Sequence, residues 1–117
     1  MRILIVEDHL DTAELMARLL RRAGHHVHIA QSVADALAAA RGDGSSFDLA
    51  LSDVILPDGS GLDLMPKLRE VGVRHGIAIS GTAEDATLAG HAGFNAHLLK
   101  PVQFDQLLAL IGPMPPR

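Results

Sequence analysis

The sequence has no cysteine, no tryptophan and no tyrosine, and only three phenylalanines in 117 residues. Without cysteine there is no disulfide, no thiol catalysis and no thiolate metal site, a composition that fits a reducing compartment. Basic charge is scarce as well. Lys and Arg number 10 against 14 Asp and Glu, a net charge of −4 with histidine neutral. No basic face large enough to follow a phosphate backbone is visible, so nucleic acid is not expected as a direct ligand. No apolar run approaches the roughly 20 residues of a membrane span. Ile3-Leu4-Ile5-Val6 comes too early, and runs too soon into acid, for a signal peptide. What remains is 48% apolar and 21% charged, the composition of one globular domain. It is expected to be cytoplasmic.

The apolar pattern changes period repeatedly. Residues 2–6 form a continuous β-branched run, which predicts a buried strand. Residues 12–23 carry Leu15, Met16, Leu19 and Leu20 at helical spacing, with Asp11 as N-cap and Gly24 as stop. Leu15, Leu19 and Leu20 are expected in the core. A second strand is predicted over 27–30, and Ser32 caps a helix running to about Arg41. The third strand covers 47–52. The turn-rich stretch Pro57-Asp58-Gly59-Ser60-Gly61 then leads, with Ser60 as cap, into a helix over 62–71. A fourth strand (77–80), a poor helix (84–92), a fifth strand (96–99) and a last helix (103–111) complete the chain. Five strand–helix alternations with short connections predict one doubly wound α/β domain with a parallel five-stranded sheet. The domain is expected over residues 1–112, with 113–117 as a short C-terminal tail and no output domain after it.

In an open α/β sheet, ligands bind beyond the carboxyl ends of the strands. Glu7 and Asp8 follow the first strand, and Asp53 follows the third. The fourth ends at Ser80 before Gly81, and the fifth at Leu99 before Lys100 and Pro101. Three carboxylates, a hydroxyl and an ammonium are thus predicted to converge on one edge. A like-charge pair 4 Å apart repels by roughly 4 kcal/mol at an effective dielectric of 20. Such a cluster either protonates or holds a cation. Mg²⁺, or Mn²⁺, suits one or two carboxylates with a backbone carbonyl and several waters. Asp53 would then be both ligand and nucleophile, because a carboxylate oxygen can attack phosphorus to form an aspartyl phosphate. Lys100 would neutralise the phosphoryl oxygens, Ser80 would donate to one of them, and Gly81 would leave room beside the chain.

These residues, in this order, resemble the receiver domains of two-component response regulators. The resemblance runs from Arg2 to Ile111 and rests on four pieces: Ile5-Val6-Glu7-Asp8, the stretch Asp53 to Leu64, Ile77-Ala78-Ile79-Ser80-Gly81, and Leu98-Leu99-Lys100-Pro101. It implies a flavodoxin-like (βα)5 fold of strand order 2-1-3-4-5. It implies that Asp53 accepts a phosphoryl group from a phosphohistidine. Glu7, Asp8 and Asp53 would surround Mg²⁺, with the carbonyl of Ile55 as a further ligand. Ser80 is then the switch hydroxyl, Lys100 binds the phosphoryl group, and the bond before Pro101 is cis. The implied partners are a histidine kinase, or the chain's own kinase core, and a histidine phosphotransfer protein. Dimerisation is open, and tethering to a membrane-bound kinase is compatible. The domain would catalyse its own phosphorylation and dephosphorylation without turning over a metabolite.

Three positions depart from the commonest family pattern. Ile55 stands where Met is frequent and Thr82 where a small residue is common, both near the approach of a hydrolytic water. His97 replaces the usual Tyr or Phe that swings inward with the switch hydroxyl, and unlike them it can titrate. Ser80-Gly81 with His97-Leu98-Leu99-Lys100-Pro101 looks most like the receivers of hybrid histidine kinases. A stand-alone single-domain regulator also fits Met1 directly before the first strand and the tail after Ile111.

Other features favour plainer readings. His25, His26 and His28 look like a metal tract, but no carboxylate lies beside them, so they are expected to mark a polar edge strand. His9 follows the acidic pair and could line the pocket mouth, but it is expected to face solvent. Gly59 and Gly61 do not make a dinucleotide fingerprint. The fourth helix offers Leu88 as its only large apolar residue and contains Gly90, so it is expected to be the least stable. With the fifth strand and last helix it would form the moving, partner-facing surface. Two other classes compete. An aspartyl-nucleophile phosphatase would need an acid at position 55, where Ile stands. A phosphorylation-independent pseudo-receiver would not need the full set of five site residues.

Overall fold

The continuous apolar run near the start of the chain lies at the centre of the fold. Ile3, Leu4, Ile5 and Val6 are all fully buried in strand β1 (Arg2–Val6). The computed structural model describes residues 1–42 and 46–114. After β1 come α1 (Leu10–Arg22), β2 (His26–Ala30), α2 (Val33–Ala40) and β3 (Leu49–Asp53). A two-stranded hairpin, β4 (Ile55–Leu56) and β5 (Gly59–Ser60), precedes α3 (Gly61–Glu70). The chain continues as β6 (His75–Ser80), α4 (Asp85–His91), β7 (Ala96–Leu99) and α5 (Phe104–Ile111).

The main sheet is parallel, in the order β2-β1-β3-β6-β7. Counting only its own five strands, that is the expected 2-1-3-4-5. Period-two alternation sends neighbouring residues to opposite faces. Ile3, Ile5, Leu49, Leu51, Ile77 and Ile79 meet α1 and α5, while Leu4, Val6, Ala50 and Ala78 meet the α2–α3 side. The second face is lined by smaller residues at its centre. At Gly76 an added Cβ would come within 2.6 Å of Met65 Sδ, so Met65 occupies the space a side chain there would take.

Several local expectations need correction. The first helix begins at Leu10, because Ala13 N–H already bonds the His9 carbonyl at 3.0 Å. His9 is therefore the N-cap residue, and Asp11 lies in the first turn. Leu15 is 55% exposed and Leu19 half-buried, not core. The buried stripe of α1 is Ala13, Met16, Ala17 and Leu20, at spacings of three, one and three. Two alanines let the helix lie close to the sheet, and side-chain size alone gave them too little weight. In the fourth helix, expected to be poorly anchored, Leu88 is 51% exposed and the buried residue is Ala89. The apolar bulk at that end comes from Phe94, beyond the helix, whose N–H bonds the Ala89 carbonyl. The third strand starts two residues later than expected and includes Asp53. The turn-rich stretch forms the β4–β5 hairpin, with Ile55 opposite Ser60 and Leu56 opposite Gly59.

The caps follow the sequence more closely. Ser32 accepts from Asp35 N–H at 3.1 Å, and Ser60 from Leu62 N–H at 3.0 Å. Gly24, Gly72 and Gly93 end α1, α3 and α4 at positive φ, which an L side chain strains to adopt. β2 is an edge strand, and His26 and His28 share its exposed side. Of the expected tail, Met114 packs partly against the α1–α5 side, and residues 115–117 lie outside the described residues. Among the described residues no helix is long and apolar enough to cross a membrane.

Candidate functional site

Strand register explains why distant residues meet. Val6 is level with Ser52, so Glu7 and Asp53 come off adjacent strands side by side. Asp53 is level with Ile79, and Ser80 with Leu99, which places Ser80 and Lys100 at the same edge. Lys100 N–H bonds the Ser80 carbonyl at 2.8 Å. The Lys100–Pro101 bond is cis, as the resemblance implied. A cleft of about 160 Å³ opens there, lined by Asp8, His9, Asp53, Ile55, Ser80, Gly81 and Lys100.

Asp53 is only 4% exposed. Lys100 Nζ lies 2.8 Å from its Oδ1 and 2.9 Å from its Oδ2, and 3.8 Å from Glu7 Oε2. Burial, then a hydrogen bond with Glu7, push the Asp53 carboxyl up to about 7, although Lys100 pulls the other way. Burial also raises Glu7. Hydrogen bonds from Asp53 and His9 outweigh it and bring Glu7 below its ordinary range. Two buried carboxyls in contact do not both ionise easily, so the Glu7–Asp53 pair titrates together, with Asp53 shifted up and Glu7 down. Burial disfavours the Lys100 ammonium, but its bond to Asp53 more than restores it and its pKa ends raised.

The structure therefore brings together Glu7, Asp8, Asp53, Ser80, Gly81 and Lys100, with Ile55 at the rim, 80% exposed. The ligand atoms of Glu7, Asp8, His9 and Asp53 all lie within 4.8 Å of one another. Oxygen donors of this number and charge fit a hard divalent ion. The Ser80 hydroxyl donates to the Thr82 carbonyl at 2.9 Å, and its oxygen lies 2.6 Å from His97 Nε2. His97 is half-buried and already turned toward Ser80. The Thr82 hydroxyl donates to Asp85 Oδ2 at 3.0 Å, at the start of α4, rather than lining the cleft. An added Cβ at Gly81 would meet no protein atom within 4 Å, so packing alone does not require glycine there.

Two contributors escaped the sequence reading, and a third was weighed there only as a solvent-facing neighbour of the pocket. Gly61 is required by close approach: an added Cβ would sit 2.1 Å from the Asp53 carbonyl oxygen. The same glycine's N–H bonds the Val54 carbonyl at 2.8 Å, and the Ser52 hydroxyl bonds the Asp53 carbonyl at 2.9 Å. The main chain around Asp53 is therefore clamped from both sides. The available signal was a glycine at the first position of a helix, where a turn does not need one. Asp58 is the second. Its carboxylate accepts from Val33 N–H at 2.8 Å and Ala34 N–H at 3.0 Å, tying the β4–β5 hairpin to the start of α2. Those bonds hold the Asp58 carboxyl below its ordinary range. Nothing local in the sequence signals a cap supplied from 25 residues away. His9 is the third. Its side chain is 72% exposed, as expected, yet Nδ1 lies 2.9 Å from Glu7 Oε1 and 3.4 Å from Asp8 Oδ1. The bond to Glu7, then the charge of Asp8, raise its pKa. The histidine tract of β2 takes no part in a group of this kind among the described residues.

The family model of the response regulator receiver domain matches residues 3–112. A curated relative, the response regulator receiver protein Anae109_2439 of Anaeromyxobacter sp. (strain Fw109-5), is 38% identical over 112 residues, covering 93% of this chain and 46% of its own length. The chain thus spans about half the length of the curated relatives it matches. Among solved structures, a response regulator receiver domain protein (CheY-like) from Methanospirillum hungatei JF-1 is 32% identical with a TM-score of 0.84, covering 95% of this chain and 90% of that one. The receiver domain of the hybrid histidine kinase CckA is also 32% identical, with a TM-score of 0.82, covering 97% and 98%.

Proposed function

The chain belongs to the response regulator receiver domain family, and from that premise we propose that Asp53 is the phosphoacceptor of a two-component phosphorelay. One observation carries this reading. A buried carboxylate, gripped by Lys100 at 2.8 and 2.9 Å and flanked by Glu7 and Asp8, opens into a cleft that also holds a hydroxyl. In the transfer an Asp53 oxygen attacks the phosphorus of a donor phosphohistidine. The P–N bond breaks, its electron pair stays on the donor imidazole, and an acyl phosphate remains on Asp53. The carboxyl must be ionised to attack, so the proton held up to about 7 has to be displaced first.

Receiver domains bind Mg²⁺ in an acidic pocket, and Glu7, Asp8 and Asp53, with the Ile55 carbonyl, would hold it here. When bound, the ion offsets negative charge on carboxylates and phosphoryl oxygens. Lys100, released from the carboxylate, is within reach of the same phosphoryl oxygens. Ser80 gives up its bond to the Thr82 carbonyl and turns its hydroxyl toward them. His97, bonded to that hydroxyl at 2.6 Å, follows, and the surface of α4, β7 and α5 changes. Gly81 leaves the phosphoryl group room. A second cleft of about 480 Å³, lined by Leu15, Met16, Ile79 and Val102 beside Glu7 and Lys100, offers the donor an apolar seat next to the reacting carboxylate.

The parent of this domain is a hybrid histidine kinase in our reading, on the Ser80-Gly81 and His97 features and the likeness to the CckA receiver. A stand-alone cytoplasmic regulator is the second reading, favoured by the likeness to the Methanospirillum protein. The receiver is taken as residues 1–112. The test of phosphoacceptor function is intact mass after incubation with Mg²⁺ and a small acyl phosphate. The expected result is a Mg²⁺-dependent gain of one phosphoryl group, absent in Asp53→Asn. No gain from any donor, with Mg²⁺ binding measured separately, would make this a phosphorylation-independent binding module.

A further inference from the structure

We propose that His9 is a nitrogen ligand of the acidic cleft, and that it turns an oxygen-donor Mg²⁺ pocket into one that prefers a d-block divalent cation. The inference rests on the reading of the cleft as a divalent-cation site. It adds a ligand that the carboxylate set does not contain.

The geometry is the first support. Around an ion with ligands at about 2.1 Å, adjacent donors lie about 3.0 Å apart and opposite ones about 4.2 Å. His9 Nδ1 is 2.9 Å from Glu7 Oε1 and 3.4 Å from Asp8 Oδ1, the spacing of adjacent ligands. All four donor atoms fall within 4.8 Å, so closing them on one ion takes shifts of a few tenths of an ångström to each side. The backbone under His9 is fixed. Its carbonyl receives the first bond of α1 from Ala13, and its N–H bonds Glu7 Oε1 at 3.1 Å. The exposed ring already points its Nδ1 at both carboxylates from that anchored backbone.

The chemistry is the second support. Mg²⁺ takes oxygen ligands in a near-ideal octahedron and gains little from imidazole. Co²⁺, Ni²⁺, Cu²⁺ and Zn²⁺ bind imidazole well, and their affinities for mixed N/O sites rise along that part of the series to copper. One imidazole among carboxylates therefore separates the two classes of ion, whereas three carboxylates alone do so weakly. The remaining histidines do not compete in this cleft. His26 and His28 lie on β2 at the sheet edge, and His97 bonds Ser80.

The experiment is calorimetric titration of the metal-free protein with Co²⁺ alone and with Mg²⁺ alone, paired with the visible absorption of the Co²⁺ form. The proteins are wild type, His9→Ala, Asp53→Asn and a His26→Gln/His28→Gln control. The expected result is Co²⁺ binding about tenfold or more tighter than Mg²⁺ in wild type and in the control. In His9→Ala the Co²⁺ affinity falls about tenfold, its absorption bands shift, and Mg²⁺ affinity stays within about threefold. Unchanged Co²⁺ affinity and spectrum in His9→Ala would overturn the assignment. If Mg²⁺ binding still fails in Asp53→Asn, the cation-site reading then stands without His9. If neither ion responds to Asp53→Asn, both readings fall together.

Discussion

Helices α1 and α4 flank the same site and are built on opposite terms. α1 has 13 residues and buries Ala13, Met16, Ala17 and Leu20, three of them with no exposed surface. α4 has seven residues, buries only Ala89, contains Gly90 and leaves Leu88 half in solvent. The β1 and β3 ends beside α1 carry the carboxylates and the clamped main chain around Asp53. The β6 and β7 ends beside α4 carry Ser80 and His97, whose mutual bond has alternatives. The lesson is a division of labour: the carboxylates are held where packing is deep, and the groups that must move, Lys100 after β7 among them, sit where packing is shallow. Arg69 moderates this contrast. Its guanidinium bonds the Gly93 and Arg74 carbonyls and Asn95 Oδ1, holding the turn after α4 while leaving the helix itself lightly packed.

The sharpest way to break this contrast is to weaken the deep side. Leu20→Ala removes a fully buried side chain of α1 and should cost about 2–5 kcal/mol in urea unfolding. A loss below about 1 kcal/mol would mean that α1 is not the anchored wall described here.

A smaller effect comes from the charge held there. Asp53 ionises at about 7 in the fold against 3.8 as an unperturbed group. A carboxyl whose folded pKa is raised contributes stability that is complete below its unfolded pKa and is lost as pH rises through the folded one. Metal-free wild type should therefore lose stability between about pH 4 and pH 7, a loss that the opposite shift of Glu7 reduces. Asp53→Asn should lack that loss and be the more stable protein at pH 8. Parallel stability–pH curves for the two proteins would count against the shared proton.

The smallest effect should come from the shallow side. Leu88→Ala ought to change stability by less than about 0.5 kcal/mol, because the side chain is half exposed already. In hydrogen exchange, α4 amides should exchange faster than those of α1, and phosphorylation should alter α4 and β7 before α1. Equal protection of the two helices would remove the structural basis for a moving surface.

Much of this was legible in sequence because it is local. A β-branched run makes a buried strand, a serine before a helix caps it, and a glycine after one ends it. The site was legible too, since each of Glu7, Asp8, Asp53, Ser80 and Lys100 closes a strand and parallel strands bring their carboxyl ends together. The misreadings arose where two segments decide jointly. Leu15 looked buried until the alanine stripe set how α1 faces the sheet. Asp58 looked like a turn residue until α2 supplied the N–H groups it caps. His9 is a local case: it is exposed as expected, but the turn after β1 folds its ring back onto Glu7 and Asp8, the two residues before it.

Sequence alone determined the alternation of strands and helices, and with it the fold class and the edge where charge collects. Those follow from periodicity and chain direction, which any local stretch of the chain carries. Tertiary structure alone decided that Gly61 must lie against the Asp53 carbonyl, that Lys100 grips both oxygens of Asp53, and that His97 holds the Ser80 hydroxyl. Each depends on groups from different segments meeting at close range, and such meetings exist only once the sheet has set its register.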